Sequence, residues 1–234
     1  MDSCLSLVLF IAMTALLLVF PGAQQAAHGQ SASSGTPSSS ARRVPKLAAA
    51  RLDAGSVSNG IYRNQSFGFA CKIPAGWVLR TEEMNEQEDG DTKSVGDKSA
   101  AWGKTARVLL AAFSRPPQAR GEDVNASILI AAESAEAYPG LKEAAQYFGP
   151  VTEVAQAQGF EVINEPYEFV LGTKTVVRSD LQKDVGTRVL WQSTLVVLTR
   201  GYAVSFTFFG GTEDEVEELI EGLSFGVEAK PHPH

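Results

Sequence analysis

The sequence predicts an α+β fold, a largely antiparallel β-sheet with helices packed on its faces. Three observations carry this. Arg188 to Phe225 reads strand, hairpin, strand and helix in succession. Before it, Tyr167 to Leu171 and Thr175 to Gln182 form another hairpin around Gly172-Thr173-Lys174, so consecutive strands close a meander. Further back, Leu141, Ala144, Ala145, Phe148, Val151 and Ala155 keep helical spacing.

The chain has 234 residues and a formal net charge of -7. Residues 1–29 read as a signal peptide: an apolar run from Leu5 to Phe20, then Pro21-Gly22 and a small-residue zone ending at Gly29. An uncleaved anchor is the alternative, although the run is shorter than the ~20 residues of a membrane span. No lipobox cysteine follows, since Cys4 precedes the apolar run, and cleavage would leave Cys71 as the mature chain's one cysteine. Residues 30–60 are rich in Ser, Ala, Gly and Pro and read as a low-complexity linker, with Arg42-Arg43 as a solvated basic pair. The folded domain is expected over 61–227 and a flexible tail over 228–234.

Within the domain, Phe67, Phe69 and Cys71 alternate with Gly68, Ala70 and Lys72, a half-buried strand ended by Pro74 and Gly76; Trp77 to Arg80 resumes as a short one. Cys71 shares a face with two phenylalanines and is expected to be buried and inert. Thr81 to Ser99 carries seven carboxylates and almost nothing apolar, which predicts a solvated loop. Glu88, Asp89 and Asp91 would be its calcium ligands, but the D-x-D-x-D-G register is absent. Ala106 to Phe113 and Ser127 to Ala131 read as strands. The following helix should kink or split at Gly149-Pro150 and end at Gly159.

In the closing stretch, Val189 to Thr199 and Tyr202 to Phe209 flank a tight turn at Arg200-Gly201. Val204, Phe206 and Phe208 point one way and Ala203, Ser205 and Thr207 the other, which predicts a strand covered on both faces. Thr212 and Glu215 form a capping box, and Val216, Leu219, Ile220 and Leu223 make the helix's apolar stripe.

Little of this carries chemistry. His28, His232 and His234 all lie outside the expected domain, which removes Ser-His-Asp and Cys-His catalysis and most zinc sites. The tail histidines, on a Pro-rich end, are not held in a ligating geometry. Carboxylate pairs leave glycosidase chemistry open in principle, yet the acids crowd one helix, and Glu168, between Tyr167 and Phe169, points away from both. No Gly-rich phosphate loop, CxxC or GxSxG occurs. An acidic chain without a Lys/Arg cluster does not suit nucleic acid. Asn64-Gln65-Ser66 and Asn125-Ala126-Ser127 are glycosylation sequons only in a eukaryotic secretory path.

The stretch YRNQSFGFACKIPAGW at 62 to 77, a helix ending in Gly159-Phe160, the late meander and the final GGTEDEVEELIEGLSF together resemble the PsbP-like superfamily, in particular its secreted bacterial members. The resemblance covers roughly Ile61 to Phe225. It implies an α/β/α sandwich and a non-enzymatic domain that docks on other proteins. The partner expected for this chain is a protein or a cell-envelope component, and no cofactor is expected. It transfers no catalytic, cofactor-binding or metal residue to this chain. The expected function is a secreted or periplasmic interaction domain without stable membrane insertion after cleavage; a carrier of a small apolar ligand and a carboxylate-only hydrolase are the alternatives.

Overall fold

The computed structural model describes residues 52–91, 106–116, 119, 123–138 and 140–226. The expected signal peptide, most of the linker, residue 227 and the expected tail 228–234 lie outside them.

Among the described residues, eleven strands form two antiparallel sheets. The small sheet has the order β1 (Ser56–Ser58), β2 (Ile61–Asn64), β3 (Phe69–Lys72) and β11 (Leu223–Phe225). The large one runs β4 (Val78–Leu79), β5 (Ala106–Phe113), β6 (Ser127–Ser134), β10 (Tyr202–Gly210), β9 (Arg188–Thr199), β8 (Lys174–Val185) and β7 (Glu161–Leu171). The meander from β7 to β10 is ordered by its turns: Arg200 and Gly201 both take positive φ, 52° and 79°, as the tight β9–β10 turn requires.

Both faces of the large sheet are covered, as the alternation in β10 predicts. Val204, Phe206 and Phe208 join Ile128, Ile130 and Leu195 in a core closed by the small sheet and by α3 (Glu213–Glu221). Phe69 meets Phe206 edge-on at 4.8 Å between centroids. Opposite, Ala203 and Phe209 join Leu181, Leu190 and Val196 under α2 (Phe148–Ala157) and the 3₁₀ turn Ala144–Tyr147 that precedes it. The helical pattern thus splits one residue ahead of Gly149-Pro150. Pro150 falls in the first turn of α2, where its missing N–H costs nothing. Gly159, at φ 86°, stands just past the end of that helix.

Four expectations change. The linker reading extends to Gly60, but Ser56–Ser58 already pairs with β2 through a turn at Asn59-Gly60. Asp53 anchors this entry: its carboxylate accepts from Gly55 N at 2.9 Å and Ser66 N at 3.2 Å. The strand expected over Tyr167 to Leu171 begins at Glu161 and is bent by two bulges between Val162 and Tyr167. Leu223 leaves the helix and pairs with Cys71 in β11 while staying buried.

The fourth is the acidic stretch, where Thr81–Asp91 is helix α1 rather than loop. Among its described side chains, Met84 alone joins the core, and the sequence of the helix has no apolar stripe to announce it. Glu, Met and Gln favour helix, and Glu82 and Glu83 sit in its first turn. Its polar side chains cap the sheet: Thr81 Oγ1 accepts from Ala111 N at 2.9 Å, while Asn85 accepts from Val108 N at 3.1 Å and donates to Val108 O at 3.0 Å. The edge of β5 beyond the short β4 is sealed in this way.

Candidate functional site

Strand β8 presents Val176, Arg178 and Asp180 on one face, and the last two place a buried ion pair beneath α3. Arg178 Nε donates to Asp180 Oδ1 at 2.7 Å, and Nη2 reaches Ser193 Oγ at 3.2 Å and the Glu217 carboxylate of α3. The guanidinium lies 5.1 Å from the centre of the Phe169 ring. Asp180 also accepts from Ser193, from Asn164 Nδ2 at 3.0 Å and from Tyr167 OH at 3.2 Å. Burial opposes the charge of Arg178, and the hydrogen bonds and charges of Glu217 and Asp180 outweigh it, so its pKa moves up. Burial and then the charge of Asp180 push the Tyr167 phenol up to about 12.

The cleft beside this pair lies between Asn164, Trp191 and Ser193 of the sheet and Glu213 and Val216 of α3. Its volume is about 10 Å³, room for roughly one water. Asp180 and Glu213 both border it, the pairing a carboxylate hydrolase would use. A sugar ring does not fit, and four donors already occupy the two oxygens of Asp180. The arrangement does something else: it ties the outer strand β7, through Asn164 and Tyr167, to β8, β9 and α3.

On the opposite face, near the end of β6, Glu133 is 2% exposed. Tyr147 OH donates to its Oε1 at 2.6 Å and Tyr138 OH donates to Oε2. Burial pushes this carboxyl up to about 7 against the pull of the two phenols. Burial, then the charge of Glu133, raises Tyr147 well above the usual phenol range. Glu133 is thus an acid in an aromatic surround, a setting that the sequence pattern showed for none of the acids. Glu168 is exposed, on the face of β7 away from Tyr167 and Phe169. Because the tyrosines come from separate turns five and fourteen residues on, no local spacing marked Glu133.

Cys71 is fully buried, its thiol pushed up to about 12 by burial, and its Sγ lies 3.8 Å from Lys72 O. Glu88, Asp89 and Asp91 fall in the last turns of α1, and their side chains lie outside the described residues, as do His28, His232 and His234. Among the described residues no three His, Cys, Asp or Glu side chains are grouped to hold a metal ion, and no helix is long and apolar enough to cross a membrane. Both sequon asparagines spend their amide nitrogens inside the fold. Asn64 Nδ2 donates to Asp53 O at 2.9 Å and Asn125 Nδ2 to Arg115 O at 3.1 Å.

No protein-family model matches the sequence, and no curated protein matches it. Solved structures share parts of its shape. A protein of unknown function from Pseudomonas aeruginosa, PA94, a putative regulator, is 18% identical over 50% of this chain and 80% of its own, at a TM-score of 0.33. LpqN of Mycobacterium tuberculosis, involved in cell envelope biogenesis, is 14% identical over 68% and 83%, at 0.34. The Ran-binding protein Mog1p of Saccharomyces cerevisiae is 14% identical over 73% and 96%, at 0.37. At these scores the likeness brings neither ligand nor partner to this chain.

Proposed function

We propose that this chain is an extracytoplasmic interaction domain of the PsbP-like kind, which docks on a protein or envelope component and carries out no covalent chemistry. The observation that supports it is the way the interior is used. The cores on both faces of the large sheet are filled by side chains, and the cleft beside Arg178 and Asp180 has room for roughly one water; a larger depression of about 480 Å³ at the start of α1 is lined by Leu79, Arg80, Thr81, Glu82, Glu83 and Glu86, a charged surface rather than an apolar cavity. A carrier needs an apolar cavity of several hundred Å³, and a glycosidase needs a sugar between its two acids. What is left to act is the surface. The apolar run Leu5 to Phe20 supports export.

The test pairs turnover with contact. The mature domain, expressed in its own host with a photo-crosslinker at single exposed positions, should form a discrete protein adduct from some positions and none from others. The purified domain should leave glycoside and ester substrates intact. Turnover that disappears in Asp180→Asn would establish a hydrolase and overturn the reading.

A further inference from the structure

The two outer edges of the large sheet are treated differently. At one, Thr81 and Asn85 of α1 occupy the backbone groups of β5. At the other, β7 is the terminal strand and has no partner beyond it among the described residues. Its first half is unfit for further pairing, because two bulges interrupt the register between Val162 and Tyr167 and Pro166 lacks an N–H. Its second half is regular. Tyr167 to Leu171 stays in register with Arg178 to Lys174 over five consecutive pairs.

This regular half is held rigidly in place. Tyr167 is bonded to Asp180, Phe169 lies beneath Arg178, and Phe169 and Leu171 pack against the core under α3. Yet its other face stays open. Val170 is 68% exposed, the most exposed large apolar residue described, and Glu168 beside it is exposed as well. Val162, at the far end of β7, is partly buried against the α2 core; the cover on that side does not extend to Val170. An edge of this kind, in regular register, preorganised, and with Val170 and Glu168 exposed on its open face, is the template for an added strand.

The charges along the strand select the occupant. Glu161, Glu165 and Glu168 are all exposed on β7. A second copy pairing antiparallel about Glu168 would set the two Glu168 carboxylates against each other, which opposes pairing, and one pairing about Phe169 would set each Glu168 against Val170 of its mate and give neither carboxylate a cation. A strand with Lys or Arg at alternate positions would meet them instead. We infer that Tyr167–Leu171 is a docking edge that takes an extended, basic peptide segment of a partner protein as an eighth strand, with a cation against Glu168 and an apolar side chain beside Val170.

This deepens the interaction-domain reading and rests on it. The probe is a short peptide alternating Lys and Val, added to the full domain, with amide exchange and chemical shifts read by NMR. The expected result is slowed exchange confined to Tyr167–Leu171 and binding that weakens with salt. A peptide of the same charge, N-methylated on alternate amides, should bind about tenfold less tightly, because it cannot complete the ladder. Glu168→Lys, with an unchanged melting temperature, should weaken binding by a similar factor. Equal binding of the N-methylated peptide, protection at another element, or a dimer of the free chain formed through β7 would each overturn the inference. Those outcomes reject the edge alone, whereas turnover lost in Asp180→Asn rejects the reading beneath it.

Discussion

A carboxyl such as Glu133 makes the fold pH-sensitive in one direction. Its pKa stands at about 7 in the fold against an ordinary 4.5, so between those values the folded chain keeps a proton that the unfolded chain has released. Stability therefore falls as pH rises through this window and levels off above it. The full difference is on the order of 3 kcal/mol at 1.36 kcal/mol per unit. Glu133→Gln should flatten this dependence, with urea melts at pH 5 and pH 8 converging; unchanged slopes would show that the carboxyl does not titrate there. Cys71 was expected to be inert, and its burial agrees. A thiol reagent should label the native protein only at the rate of global unfolding, and fast labelling would contradict that placement. The residues that carried the family resemblance are explained by local bonding. Tyr62 OH donates to Ala54 O at 2.8 Å, and Asn64 holds the β2–β3 turn through Phe67 N at 2.9 Å. Gly68 and Gly76 take positive φ, 70° and 83°. They were legible because they serve turns and core, which local sequence encodes; the ring around Glu133 was not, because tertiary packing alone brings it together.

Elements were readable wherever apolar periodicity announced them. The strands β8, β9 and β10 and Val216, Leu219 and Ile220 of the α3 stripe follow the expected pattern, and Thr212 Oγ1 accepts from Glu215 N at 3.1 Å as a cap should. The second half of that box is displaced by one residue, since Glu215 reaches Gly211 N at 2.7 Å. Helix α1 escaped because its hold on the sheet is polar. Asn85→Ala should leave Val108 N–H and C=O without their partner and destabilise the fold by about 1–3 kcal/mol, read as a lower midpoint in urea; a neutral result would mean that water replaces the side chain. The Arg178–Asp180 pair holds elements together in the same manner. Asp180→Ala should cost about 3 kcal/mol or more by leaving a buried guanidinium with Glu217 as its remaining acid. Exchange of the β7 amides should rise more than that of β10.

At the scale of the molecule, a seven-stranded sheet is covered on both faces by packed side chains, the cleft under α3 has room for roughly one water, and this favours a protein that acts through its surface. The sequence disclosed that architecture through its β-hairpins and amphipathic helix, but surface function leaves no periodicity, and the partner is written in the shape of an edge rather than in a motif. Native mass spectrometry of the protein purified gently from its own host tests the account most directly. The predicted spectrum shows a chain beginning between Gln24 and Ser31, alone or in complex with a second polypeptide. An adduct of a few hundred daltons that survives buffer exchange and is released by unfolding would show a ligand carried inside, and would contradict it.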